Sequence, residues 1–270
     1  MIALRAMAGA DPHPDAVAAF WDREASRYNR SSRRGDTHHQ RTADRLEAQL
    51  RGKILCVGGL WAAVDPARVQ GRVTVGDLST RMLAHFAATG VAGVRADARR
   101  LPLVTGSFDH VVLPLILHHL TGRRGDSARR LAREAMDEAV RVLRPGGRIW
   151  IKEIVVAPPV YLVERLASPA TRWILERAGI PLVVFHTTAF FRRSLLDAGC
   201  RDVDVWASGA VGERWYDVIA PVIGLPWLKV PRFLVPVRYV LISASAGADD
   251  VRPLTPRRRS TAPPAPTARG

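Results

Sequence analysis

Two histidines stand side by side in "LPLILHHL", His118 and His119, and Glu153 lies further on in "GRIWIKEIV". Imidazole is neutral near pH 7 and can take a proton, so these residues are candidates for acid–base work. Adjacent side chains point in different directions, so at most one of the two imidazoles faces a given substrate. The alternative for the histidines is no catalytic duty, and for Glu153 a salt bridge at the edge of the core. A second group of residues has recognition chemistry. Gly58-Gly59 closes the apolar run "KILCV", where missing side chains let the backbone approach a ligand closely. Asp77, 19 residues beyond Gly58, ends "RVTVGD" and has a carboxylate suited to both hydroxyls of a ribose. Its rival use is capping the next helix, for which Ser79 or Thr80 is equally suited. The only cysteines, Cys56 and Cys200, lack His or Cys neighbours at ligand spacing, so no metal site is expected.

Short β-rich runs recur at 53–57, 72–76, 91–96, 108–114 and 147–155, with helical patterns at 79–90 and 126–143. Such alternation predicts a parallel sheet with helices on both faces and ligands at the carboxyl ends of the strands. Gly58, Asp77 and the histidine pair all fall at such ends. Pro66 predicts a helix after the glycine turn that is short or starts late. Upstream, 15–30 and 39–50 read as helices, so residues 1–50 are expected to form a helical cap. After the fifth run, 156–186 and 207–236 are apolar, proline-bearing insertions. They serve either as a lid beside the crevice or as a surface packed on the sheet or on a second copy. A helix at 188–198, a strand near 202–206 and a last strand at 238–244 complete the body, 51–245.

The formal charge of +15 weighs toward nucleic acid, but all but three of the 40 basic residues are arginine, as a GC-rich genome writes on any surface. The arginines are scattered and no aromatic–basic ladder accompanies them, so a nucleic-acid partner is not expected. The tail 246–270 reads as disordered. No apolar run approaches a membrane span, and two cysteines without a framework make a reduced, cytoplasmic setting the default.

Over roughly residues 15–245 the pieces resemble, in order and approximate spacing, the class I S-adenosylmethionine-dependent methyltransferases of the small-molecule type. They are the Gly58-Gly59 turn, "VTVGDLSTRML", "VRADARRLPLVTGSFDHVV", "LPLILHHL" and "EAVRVLRPGGRIWIKE". In the last piece Pro145 is expected to stop the helix, and two glycines to permit a tight reversal into the fifth strand. The chain departs from the family at the turn. Leu60, Trp61 and Ala62 replace the later positions of Gly-x-Gly-x-Gly, and Cys56 stands where an acidic residue is common.

The resemblance implies an α/β, Rossmann-like, seven-stranded, mostly parallel sheet with helices on both faces and an antiparallel last strand, plus apolar lid insertions. It implies S-adenosylmethionine as cofactor and S-adenosylhomocysteine as product. The pocket it implies comprises Val57, Gly58, Gly59, Asp77, Leu78, Met82, Asp97, Ala98 and Pro114. Asp77 would serve the ribose, and Asp97 with Ala98 the adenine edge. Tyr28, in "SRYNR", resembles the tyrosine that closes over the cofactor. Asp109 is expected to have a structural job at the strand start. His38 and His39 are expected to be solvated, and His186 to serve a lid hinge or packing.

The implied activity is in-line methyl transfer to a small, fairly apolar acceptor by a monomer or homodimer. Two alternatives stand beside it. One keeps fold and cofactor but catalyses a non-methylating rearrangement or cyclisation, or nothing; Trp61 in the turn motivates it. The other is an RNA-modifying methyltransferase, motivated by the charge.

Overall fold

The computed structural model describes residues 17–23, 25, 37–60, 63–121, 125–163, 165–166, 183–210 and 237–247. Seven strands form its one sheet: β1 (Arg51–Val57), β2 (Gln70–Asp77), β3 (Ala92–Arg95), β4 (Phe108–Pro114), β5 (Leu143–Val156), β6 (Cys200–Ala210) and β7 (Val237–Ala246). Their order is β3-β2-β1-β4-β5-β7-β6. The pairs β2–β3, β1–β2, β1–β4 and β4–β5 are parallel, and β7 runs antiparallel to both β5 and β6. This is the expected Rossmann-like arrangement with its antiparallel last strand. The chain direction across the sheet reverses between β1 and β4, the switch point where a crevice opens at the strand tips.

The helices are α1 (17–23), α2 (Thr37–Glu47), α3 (Thr80–Ala87), α4 (Gly125–Val142), α5 (158–163) and α6 (Thr188–Asp197). Strand side chains alternate between faces, and both faces of this sheet are covered. In β1, Ile54 and Cys56 join Leu46 of α2 and Met82 and Phe86 of α3 on one face. Leu55 and Val57 join Ala132 and Met136 of α4 and Phe191 and Leu195 of α6 on the other. The strands are therefore apolar on both sides, which is why they read as continuous apolar runs rather than as alternating ones.

Between β1 and β2 the described residues hold only a 3₁₀ turn, Pro66–Arg68, with Asp65 accepting the Ala67 N–H at 3.0 Å. Pro66 thus gives the short element the sequence predicts. The entry to β5 keeps the expected order of helix and strand, but the strand begins before the proline. The helix α4 ends at Val142, and Leu143 already pairs with Phe108. The register then jumps to His110–Arg148, leaving Pro145 in the irregular stretch between. Proline disfavours helix at the residue before it and has no N–H for a ladder, so the helix stops upstream and the proline sits in a bulge. Glycine suits position 147 because a Cβ would lie 2.9 Å from the Arg144 carbonyl and 3.0 Å from that of Asp109. Asp109 does hold the strand starts together. Its carboxylate accepts the Lys53 N–H at 2.7 Å and pairs with Arg144 at 2.7 Å.

Most of both apolar insertions, the tail beyond Gly247, and Tyr28, Trp61 and Ala62 lie outside the described residues.

Candidate functional site

A cleft opens at the strand tips on both sides of β1, with about 660 Å³ of empty space that includes its open mouth. Val57 and Gly58 from β1, Asp77 and Leu78 from β2, and Asp97 and Ala98 after β3 line it, with Met82 of α3. Seven of the residues that the sequence assigns to a cofactor pocket therefore meet in one place. Gly59 is buried, and Pro114 pairs with Lys152 inside the sheet; neither lines the cleft. The sequence reading misses Val17 and Trp21 of α1 and Leu115, Ile116 and Leu120 after β4. The amphipathic pattern of 15–30 and the apolar "LPLIL" are the signals that could have found them.

The glycine turn is shaped by contact rather than by pattern. Gly58 has φ +85°, and its N–H donates to the Gly76 carbonyl at 2.7 Å. A Cβ at this position would lie 2.6 Å from Cδ1 of Ile116, 3.0 Å from Cγ1 and 3.1 Å from Cβ. Only glycine lets the β1 tip sit against the β4 tip. Leu115, a non-glycine at φ +56°, donates its N–H to the Lys152 carbonyl at 2.7 Å. Backbone strain of this kind is held by its surroundings and tends to gather at functional sites.

Asp77 does not cap α3. Ser79 does, its hydroxyl accepting the Met82 N–H at 3.1 Å, while Asp77 Oδ1 accepts the Ser79 N–H at 2.8 Å. The carboxylate of Asp77 is thereby left facing the cleft. Burial pushes its pKa up to about 6, with the charge of Asp22 adding and the Ser79 N–H opposing. Asp22, on α1, accepts from the Ser79 hydroxyl at 2.5 Å and from the Arg81 N–H at 3.1 Å, which ties α1 to the start of α3. Burial alone would raise Asp22, but these hydrogen bonds hold it below the usual carboxylate range.

Asp97 is gripped by a neighbour that the sequence reading did not single out. Arg99 forms a fork on it, Nη2 to Oδ2 at 2.6 Å and Nε to Oδ1 at 3.0 Å. Burial opposes ionisation, yet Arg99 keeps the carboxyl low. The third strand tip therefore presents a neutralised pair rather than a bare carboxylate.

The histidines part company. His119 lines the cleft, its ring edge-on to Trp21 at 4.9 Å. Its Nδ1 is buried without a hydrogen-bond partner, and burial, with His118 beside it, holds its pKa well below the usual value. His118 lies behind it, ring centroids 4.1 Å apart, with Nδ1 2.8 Å from Oε2 of Glu153. Glu153 is fully buried, and its oxygens also accept the N–H groups of Leu117 at 2.7 Å and Ile154 at 3.1 Å. Two of the three acid–base candidates are thus in direct contact with each other. His186 is packed, as one of its expected roles has it, 4.5 Å from the Phe190 ring.

A nucleoside carrying a sulfonium fits this cleft on three observations. Gly58 brings side-chain-free backbone to the cleft wall, Asp77 offers a carboxylate for paired hydroxyls, and His119 Nδ1 is an orphaned polar atom on the wall. Among the described residues no cluster of His, Cys, Asp or Glu could hold a metal ion.

Residues 53–151 match the family model for a methyltransferase domain. The strand order and the crevice at the β1–β4 switch point accord with that match. A demethylmenaquinone methyltransferase of Mycolicibacterium vanbaalenii is 32% identical over 156 residues, covering 55% of this chain and 64% of that protein. The match thus spans less than two thirds of the curated relative. Magnesium protoporphyrin IX methyltransferase from Synechocystis, solved with bound S-adenosylmethionine, superposes with a TM-score of 0.54 at 14% identity, over 87% of this chain and 97% of that one. The 4+2 cyclase SpnF superposes with a TM-score of 0.55 at 15% identity, over 88% and 97%. At such identities the superpositions speak to fold.

Proposed function

We propose that the protein binds S-adenosylmethionine in the β1–β4 cleft and transfers its methyl group to a small, fairly apolar acceptor. The observation that carries this reading is the convergence of Gly58, Asp77 and Asp97, three neighbouring strand tips, on one cleft within a methyltransferase domain. In this reading Asp77 accepts from the ribose hydroxyls, the Asp97–Arg99 pair and Ala98 meet the adenine edge, and the Gly58 backbone lies along the methionine part. Apolar walls from Trp21, Leu115, Ile116 and Leu120 exclude water. The demethylmenaquinone methyltransferases among its relatives fit an acceptor with an apolar ring.

When bound, the cofactor would supply an electrophilic methyl on sulfur, the acceptor providing the electron pair for the new bond and the C–S pair remaining with sulfur. Of the candidate bases His118, His119 and Glu153, the arrangement favours His118. With Nδ1–H donated to Glu153, its Nε2 is the basic nitrogen and would take the proton of an acceptor that reaches behind His119. Glu153 is a positioning residue, fixing tautomer and ring. His119 serves the cleft wall. An O- or C-acceptor needs this proton removal; a neutral amine does not.

SpnF shows that this fold also hosts cyclisation, so transfer must be tested directly. Calorimetric titration with S-adenosylmethionine and S-adenosylhomocysteine is the first measurement. Micromolar binding lost in Asp77→Ala supports the pocket, and no heat at millimolar ligand overturns it. Radiolabelled methyl transfer to a quinol or phenol panel then separates a methyltransferase from a cofactor-binding protein of other chemistry.

A further inference from the structure

A second polar cluster lies near the His118–Glu153 pair and does not line the cofactor cleft. Arg129 of α4 places its guanidinium over the Tyr161 ring at 4.3 Å and the Phe190 ring at 5.4 Å. Its Nε is buried and has no hydrogen-bond partner. The Phe190 ring also carries His186, 4.5 Å away, which is 1% exposed and has neither Nδ1 nor Nε2 hydrogen-bonded. Ring faces hold a cation in place, but they do not satisfy its N–H donors. A buried unmatched donor is destabilising. Two such side chains on one phenylalanine mark a place where an acceptor is missing.

The missing partner has a definite sign. Arg129 has no salt bridge among the described residues, and Glu153 commits both oxygens to Leu117, Ile154 and His118. Arg133 adds a second guanidinium, 5.8 Å from the same Phe190 ring. Burial, with Arg129 and His118, presses the His186 pKa down to about 3, so this imidazole is neutral, with one N–H to give. Around the cluster, Val156, Tyr161, Phe185 and Val237 pack as an apolar group, and Phe185 lies 5.5 Å from the His118 ring. The surroundings suit an apolar body ending in an oxyanion, next to the imidazole assigned above as base.

We propose that Arg129 and His186 form an anion-recognition subsite beside the His118–Glu153 pair, which takes the carboxylate of an apolar small molecule. The guanidinium Nε–H and one imidazole N–H donate to the carboxylate oxygens, and the rings of Tyr161 and Phe190 fix the arginine in that pose. As the carboxylate-bearing end of the acceptor, this ligand rests on the methyl-transfer reading; as a binding site, the subsite stands alone.

The test uses the intact chain with sodium benzoate as probe and benzamide as its neutral counterpart, at constant ionic strength and pH 7. Binding is followed by calorimetry and by the histidine ring signals in ¹H–¹⁵N spectra. Benzoate should bind at least about tenfold more tightly than benzamide and move the His186 signals. Arg129→Met should abolish that preference, and Arg129→Lys should keep part of it. Equal binding of the two probes, no benzoate binding at about 20 mM, or an unchanged preference in Arg129→Met overturns the subsite. The benzoate–benzamide comparison needs no variant, so it decides even if Arg129→Met fails to fold. S-adenosylhomocysteine titrated into the same samples separates the two readings. Its failure with benzoate still bound removes the cofactor reading alone, and the reverse result removes the subsite alone.

Discussion

Nδ1 of His118 lies 2.8 Å from Oε2 of Glu153, across the boundary between the β4 tip and β5. Glu153 is fully buried, and its oxygens also hold the N–H groups of Leu117 and Ile154. The carboxylate therefore orients the imidazole and, through Leu117, the 3₁₀ turn Leu117–His119 that carries both histidines. One buried acid fixes the backbone of the cleft wall and the tautomer of the proposed base together.

Glu153→Gln keeps the volume but offers an amide N–H₂ where an acceptor stood, which favours the wrong tautomer. With a turned-over acceptor in hand, kcat should fall by about 10²–10³-fold, with KM for S-adenosylmethionine within a few-fold. A merely structural glutamate would instead lower the melting temperature and raise KM together. Unchanged kcat in Glu153→Gln removes its positioning role.

Asp77 gives a pH dependence of defined sign. Its pKa is raised to about 6 in the folded protein, against the ordinary 3.8. The native chain therefore binds more protons than the unfolded chain between these values, and this group's contribution to stability declines as pH rises through that window. Ligand binding runs the other way, because ribose hydroxyls need an ionised acceptor. Affinity for S-adenosylhomocysteine should rise about tenfold per pH unit below about 6 and level off above it, with protons released on binding. Asp77→Asn should bind weakly and without that slope; a slope that survives in Asp77→Asn would assign it to another group.

Much of this site could be read from the chain, and the failures have physical causes. Gly58, Asp77 and Asp97 were legible because strand tips at the switch point place their residues in one crevice whatever packs around them. Trp21 was not, although the helical pattern of its segment was. Periodicity shows that a helix has an apolar face, not what that face covers. The grip of Arg99 on Asp97 depends on a turn two residues long, and the His118–Glu153 contact on the register of β4 against β5. Neither leaves a trace in spacing. At the entry to β5 the end of the helix was legible from Pro145, but the strand's start before the proline was not, since only the pairing of Leu143 with Phe108 shows it.

Trp21 closes the cleft from α1 and packs edge-on to His119, and the neighbouring Asp22 fastens the helix to Ser79 and Arg81. Trp21→Ala should weaken S-adenosylhomocysteine binding by about tenfold while leaving the sheet intact. Asp22→Asn should weaken it less, since amide oxygen still accepts from Ser79. Protection of α1 amides from hydrogen exchange should rise on ligand binding in the parent chain and less in Asp22→Asn. Equal protection in both would show that the helix is held by other contacts.

Gly58→Ala tests the turn itself, and a double-mutant cycle divides its cost. A methyl at 58 meets Ile116 at Cδ1, Cγ1 and Cβ, so no rotation of the isoleucine clears it fully. It also puts a side chain at φ +85°, which for an L-residue costs roughly 1–2 kcal/mol whatever the space. The single substitution should therefore lower both the melting temperature and the affinity for S-adenosylhomocysteine, the latter by at least about tenfold. Ile116→Ala alone costs stability as a large-to-small change on the cleft wall. Combined with Gly58→Ala it should cost less than the sum, because the alanine removes the contacts with Cδ1 and Cγ1 and leaves the strain and the Cβ contact. Strict additivity would mean that the two side chains do not meet and that the β1 and β4 tips stand further apart than their described contact. In that case the cradle assigned to the cofactor's methionine end would have to be sought elsewhere along the turn.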